Sequence, residues 1–213
     1  MLAFYNSDLF SGIKITRTEL LRLPIHRISF TTPELERRNA VEEAVKLYEA
    51  GSYAAMAQWA ERELAWTPEA GSSGGGRNDT VHDLLAHLAG KMTEMHGERA
   101  EAETTWREWV AAAMPAEHAK LTKTFRERGW AEDGCREGWS GVLAGFQKKA
   151  VPSGGILQQL KSETEEALGK ICPLRRRIEE TDRLIDEVVY RLYGLTEEEI
   201  SIVEGGANSE AVS

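Results

Sequence analysis

From Val81 the apolar positions Leu85, Leu88, Met92, Met95, Ala102, Trp106, Trp109 and Ala113 follow one another at spacings of three and four, interrupted only by Arg99. A second stripe runs at the same spacing through Leu157, Leu160, Thr164, Ala167, Ile171, Leu174, Ile178, Thr181, Ile185, Val188 and Leu192. Each stripe is a heptad seam and predicts a helix of about 35 residues, roughly 50 Å long. The two match in length, and the roughly 40 residues between them allow the second helix to fold back along the first. The register passes through Pro173 without a slip, which predicts a kink there and no change of direction.

Shorter elements precede this pair. Thr32-Pro33-Glu34 supplies an N-cap followed by proline at the first helical position, predicting a helix from Pro33 to Glu49. Gly51-Ser52 ends it and starts a second helix, Tyr53 to Trp66, with Met56, Ala60 and Leu64 on one side. The run GSSGGG within Thr67–Gly76 reads as a linker with no side chains to pack. Helical stretches are expected near Glu117–Arg128 and Arg136–Lys149. Gly194 is placed to stop the second long helix, and Thr196-x-x-Glu199 forms a capping box that opens a last helix through Val203. Residues 1–30 alternate in short strand-like pieces. The expected fold is mainly α, a long antiparallel, coiled-coil-like helical hairpin with shorter packing helices and a small strand-like N-terminal remnant. Its divisions are residues 1–30 (remnant), 31–66 (two short helices), 67–78 (linker), 79–204 (hairpin, with an insertion at 114–155) and 205–213 (disordered tail).

Composition changes this picture little. The chain has 213 residues, 41% of them hydrophobic and 29% charged, which suits a folded protein and excludes whole-chain disorder. No apolar run approaches the roughly 18 residues that span a bilayer, and MLAFYNSDLF lacks the basic start of a signal peptide, so a cytoplasmic location is expected without a membrane partner. Cys135 and Cys172 stand far apart in unlike surroundings and read as free thiols. The net charge of −9 includes five glutamates in the last 18 residues, which carry no Lys or Arg, leaving −4 for the remainder. The first 30 residues are locally +2, with Lys14, Arg17, Arg22 and Arg27 against Asp8 and Glu19. A strongly basic free DNA binder is excluded, but a modest phosphate-contacting surface is not.

Candidate chemistry is sparse. His82, His87 and His96 invite a metal reading, yet on a straight helix His82 and His87 point about 140° apart, and His87 and His96 about 180°. Rim histidines are the expectation, with Asp83 and His87 as an i,i+4 pair. Arg175, Arg176 and Arg177 offer a phosphate grip, but Glu179, Glu180 and Asp182 favour a solvated, self-paired face. Neither Cys135 nor the glycine run carries the neighbours that nucleophilic or phosphate-loop chemistry requires.

The segment Thr181-Asp182-x-Leu-Ile185-Asp186-x-Val-Val-Tyr190-x-Leu-Tyr193-Gly194-Leu195-Thr196-x-Glu-Glu-Ile200-x-Ile-Val203-Glu204 resembles the C-terminal end of type IIG restriction-modification enzymes and their adenine-specific DNA methyltransferase relatives. Two further pieces agree in order: Lys14-Ile15-Thr16 through Leu23-Pro24-Ile25, similar to the exit from the family's target-recognition domain, and Asn78-Asp79-Thr80-Val81-His82-Asp83-Leu84-Leu85 with Met92 and Met95. The resemblance implies a noncatalytic scaffold and DNA-recognition segment. Its parent enzyme would methylate adenine at N6 with S-adenosylmethionine and carry a possible endonuclease. The family's cofactor glycine motif and Asn/Asp-Pro-Pro-Tyr/Phe motif are absent from this sequence. The catalytic part would therefore lie upstream of Met1 or on a separate chain, and no catalytic, cofactor or metal residue is assigned here. Partners would be that methyltransferase and recognition part and, through the assembled enzyme, DNA. Candidate phosphate contacts are Lys14, Arg17, Lys120, Lys123, Arg126 and Arg128. Two rival readings remain from the residues alone: a helical-bundle metal enzyme using the histidines, and a coiled-coil interaction protein.

Overall fold

The computed structural model of the chain describes residues 28–65, 76–115, 135–136, 138–140 and 155–210. The helices are α1 (Glu34–Glu49), α2 (Tyr53–Ala65), α3 (Asn78–Ala113), α4 (Gly155–Tyr193) and α5 (Glu197–Glu210). The fold is mainly α, as its periodicity predicts. Two compact units divide it: one holds the chain up to Leu88 together with Asp182 onward, the other Ala89–Thr181. The strand-like reading of residues 1–30, apart from its last three residues, lies outside the described residues, as does the helix expected at Glu117–Arg128. Of the helix expected from Arg136, residues 135–136 and 138–140 are helical.

In the first unit α1 and α2 pack on each other. Gly51, at φ 68°, turns the chain between them, with Gly51 N–H donating to Tyr48 O at 3.0 Å and Ser52 N–H to Leu47 O at 2.9 Å. This double bond closes the end of α1 around a left-handed residue, a conformation glycine adopts without a Cβ penalty. Tyr48 and Tyr53 meet edge to face across the turn, ring centres 6.0 Å apart. The buried side chains of this unit include Ala44 and Tyr48 from α1, Met56, Ala57, Trp59 and Ala60 from α2, Val81, Leu84 and Leu88 from α3, and Leu184, Ile185, Val188 and Tyr190 from α4. Leu88 is fully buried, so Leu88→Ala is expected to lower the unfolding free energy by about 3 kcal/mol in urea titration. A loss below about 1 kcal/mol there would show that the stripe does not face a packed core.

In the second unit the last turns of α3 (Trp106, Val110), with Met114 just beyond, form one core cluster with Leu160, Ala167, Leu168 and Ile171 of α4. Earlier on α3, Glu98 and Glu101 share a groove with Lys170 and Leu174, farther along α4. The later part of α3 thus meets the earlier part of α4, and the pair is antiparallel. The buried indole of Trp106 donates from Nε1 to Thr164 Oγ1 at 3.1 Å, which explains a threonine on the apolar seam. Thr181, also fully buried, donates to Arg177 O at 2.7 Å. Arg99, the break in the first seam, is half-buried and reaches Glu103 at 3.5 Å.

The α4 seam is buried at Leu160, Thr164, Ala167, Ile171, Ile178, Thr181, Ile185 and Val188, as its spacing predicts. The α3 seam drifts. Leu84 is buried where the spacing predicts Leu85, and Val110 and Met114 take the places of Trp109 and Ala113. A straight helix has 3.6 residues per turn and slips about 20° per heptad against a strict 3.5 repeat, so the buried stripe walks around α3. Helix α4 continues through Pro173. The carbonyl that proline deprives of a partner belongs to Gly169, an exposed residue around which even an added Cβ would meet nothing.

Three further expectations are corrected. Cys135 and Cys172 are not free thiols: they form a disulfide, Cα atoms 5.5 Å apart, between the connector and α4. Helix α5 runs to Glu210, past both Val203 and the tail boundary at residue 205, because the capping box nucleates it and Gly205 and Gly206 weaken a helix without forbidding it. The last glycine of the linker is packed: a Cβ on Gly76 would lie 1.9 Å from Leu64 O, and Arg77 N–H donates to Glu63 O at 2.7 Å. No described helix is long and apolar enough to cross a membrane.

Candidate functional site

The longest of the three resembling pieces, residues 181–204, runs through the corner where α4 ends and α5 begins. Gly194, at φ 63°, donates to Arg191 O at 3.0 Å, and Leu195 N–H to Tyr190 O at 3.0 Å, closing α4 in the same double-bonded stop as α1. Thr196 then opens α5. Its N–H donates to Glu199 Oε2 at 2.8 Å, and Glu199 N–H returns a bond to Thr196 Oγ1 at 3.3 Å. The Thr196 N–H and, at 3.1 Å, the Thr196 hydroxyl both donate to Oε2 and hold the exposed Glu199 carboxyl below its ordinary range. The predicted capping box is therefore present in both directions. Ile185 and Tyr190 are buried and Tyr193 is half-buried.

Asp186 is the chemically unusual member. Its Oδ1 is buried with no hydrogen-bond partner among the described residues. Burial first, then the charges of Asp182 and of Glu204 on α5, push its carboxyl up to about 7 from an ordinary 3.8. Burial, then Asp186, Glu204 and Asp182, also push the Tyr190 phenol up. Because the folded state keeps the Asp186 proton and the unfolded chain releases it, stability contributed here falls as pH rises from about 4 to 7, and then levels off. Asp186→Asn is expected to raise the melting temperature most at pH 8, with the gain shrinking steadily toward pH 4 in a fluorimetric melt series. A gain that does not vary with pH would mean that ionisation of Asp186 carries no cost.

A second polar cluster, which spacing did not reveal, joins the start of α3 to the chain before α1. Asp79, 1% exposed, accepts from Thr31 N–H at 2.9 Å, Thr32 N–H at 2.7 Å, Thr32 Oγ1 at 2.8 Å and Thr80 N–H at 2.9 Å. Burial alone would raise this carboxyl, but the bonds from Thr32, Thr80 and Thr31 outweigh it and hold it below its ordinary value. Thr32 thus serves Asp79 instead of capping α1, whose N-cap residue is Pro33, without a side-chain bond. Arg37 pairs with Asp83 and lies 5.2 Å from the ring centre of Phe30, which also meets His82 edge-on at 5.3 Å. Arg77 links Glu36 at 3.4 Å and Glu63 at 3.8 Å. Burial pushes Glu63 up despite Arg77 and Arg62. The one sequence signal for this cluster is the Asn78-Asp79-Thr80 start of α3; its partners lie 47 and 48 residues away.

The histidines do not converge. His82 Nδ1 is 3.1 Å from Asp83 Oδ1, His96 is exposed, and His87 is half-buried with Nε2 lacking a hydrogen-bond partner among the described residues. In place of the expected Asp83–His87 pair, Asp83 pairs with Arg37 from α1 and lies against its neighbour His82. No set of three or more His, Cys, Asp or Glu side chains able to hold a metal ion occurs among the described residues. Arg175 and Arg176 pair with Glu179 and Glu180 at 2.8 and 2.9 Å, the self-paired face that their spacing predicts. Lys14, Arg17, Lys120, Lys123, Arg126 and Arg128 all lie outside the described residues.

Within the second unit a groove of about 390 Å³ lies between α3 and α4, rimmed by Glu98, Glu101, Glu163 and Glu166. On the α4 side Lys170 pairs with Glu166 one turn back at 2.8 Å, and that bond, with Glu163 and Glu101 nearby, holds the ammonium pKa above its ordinary value. Comparison of the chain with protein-family models, curated proteins and solved structures finds no match in any of the three.

Proposed function

We propose that this chain is a noncatalytic helical scaffold, the C-terminal segment of an adenine-specific DNA methyltransferase or type IIG restriction-modification enzyme, which braces the recognition module against the catalytic part. The observation that carries this reading is the use made of the resembling residues. Ile185, Tyr190, Gly194 and Thr196 are spent on packing and capping the α4–α5 corner, which is the work of a scaffold. An enzyme that flips a base out of a duplex must hold its recognition module at fixed geometry, and a long antiparallel helix pair is stiff enough to do so. DNA would be met through the assembled enzyme in the cytoplasm, with S-adenosylmethionine bound by the catalytic part.

Co-expression with the reading frame immediately upstream tests the proposal. The expected product is a stable complex that transfers the methyl group of S-adenosylmethionine to adenine in duplex DNA and loses that activity when this chain is left out. The chain alone should show no heat of binding with the cofactor. Saturable micromolar binding by the chain alone, or full methylation without it, would overturn the reading.

A further inference from the structure

We propose that the Cys135–Cys172 bond is a reversible redox clamp that fastens the short segment around Cys135 and Trp139 to α4 and is opened by a dithiol reductant. The chain holds only these two cysteines, so each sulfur has a single intramolecular partner and the bond cannot reshuffle. Its two ends differ. Cys172 sits on α4 beside Pro173 and leans on the core cluster of Trp106, Val110, Leu160, Leu168 and Ile171. Cys135 belongs to the connector, and four residues on Trp139 rests against the same cluster. Among the described residues, this segment therefore meets the helix pair through one covalent contact, Cys135, and one apolar contact, Trp139.

Two observations separate a clamp from a staple on which the fold depends. The helix pair has its own cohesion, the shared core and the Trp106–Thr164 bond, neither of which passes through sulfur. Opening the disulfide then frees Cys135 and the neighbouring Arg136 from α4 and leaves the pair standing. Both cysteines are also only half-buried, so a reductant reaches the bond without unfolding the unit.

The exchange balances with a dithiol as the only co-reactant. Its thiolate attacks Sγ of Cys135, on the connector side of the bond, and breaks the Sγ–Sγ bond. Cys172 leaves as a thiolate and takes up a proton. The second thiol of the reductant then displaces Cys135 from the mixed disulfide. The chain is reduced by two electrons and holds two thiols, and the reductant departs as its own disulfide.

The test equilibrates the full chain in a series of reduced and oxidised dithiothreitol mixtures. Free thiols are counted by alkylation and mass spectrometry, helicity is followed by circular dichroism, and trypsin cleavage after the exposed Arg136 is timed. The expected result is a bond that opens and re-forms across the series. Helicity should be unchanged, and cleavage after Arg136 about tenfold faster in the open form, since cleavage follows the population of locally released chain. Cys172→Ser should cleave at the fast rate in every buffer. If that variant fails to fold, alkylated wild-type chain supplies the same open state. A bond that stays closed in a large excess of the reduced dithiol, equal cleavage in both states, loss of helicity on reduction, or disulfides formed between chains would each overturn the proposal.

Discussion

Trp106→Ala is expected to lower the unfolding free energy by about 4–5 kcal/mol, a larger loss than Leu88→Ala brings. The indole is 2% exposed and is shared by the core cluster of α3 and α4, so its removal leaves a cavity lined by Val110, Leu160, Ala167 and Ile171. It also strands the fully buried Thr164, whose hydroxyl accepts the indole N–H. Trp106→Phe separates the two effects: it keeps most of the volume and should cost about 1–3 kcal/mol through the lost bond and partial void. Guanidinium titrations of the three proteins give both numbers. If the alanine and phenylalanine variants lost equal stability, the hydrogen bond and not the packing would be what holds this end of the pair.

The second large effect is expected at Asp79. Asp79→Ala removes the carboxylate that accepts from four donors and should cost about 3 kcal/mol, because hydrogen bonds to a charged acceptor are the stronger kind and, among the described residues, only the Thr80 N–H keeps a second acceptor, Arg77 O. The loss has a pH signature. The folded-state pKa of Asp79 is depressed, so the stability it supplies is fully present above the ordinary carboxylate pKa and disappears as pH falls through the folded value. The gap between wild type and Asp79→Ala should therefore be constant from about pH 6 to 8 and close in acid. A gap of the same size at about pH 2 would show that the carboxylate charge contributes nothing. Thr31 and Thr32 amides should also lose hydrogen-exchange protection in the variant, while those of α2 keep theirs.

Asp186 and Asp79 titrate in opposite directions for one physical reason. Both carboxyls are removed from water, but Asp79 receives four hydrogen bonds while Asp186 Oδ1 receives none among the described residues and faces Asp182 and Glu204. No sequence pattern distinguishes them, since each is an aspartate in a resembling motif on a long helix. The candidate site was thus legible as a set of positions, and the chemistry at those positions was not.

What the sequence determined by itself is everything that depends on residues three to five apart. The two long helices, the stops at Gly51 and Gly194, the capping box of Thr196 and Glu199, the α4 seam and the self-paired Arg175 and Arg176 all rest on such spacings. Helical geometry converts those spacings into contacts without help from the rest of the chain. Only the tertiary structure decided which face of α3 is buried, since the small difference between about 3.6 and 3.5 residues per turn accumulates into a changed neighbour at each end. It also decided the pairings of Asp79 with Thr31 and Thr32, Arg37 with Asp83, Trp106 with Thr164 and Cys135 with Cys172, separated by 37 to 58 residues. At such separations local preference is silent, and the partner of a side chain is whichever group the packed helices bring within reach.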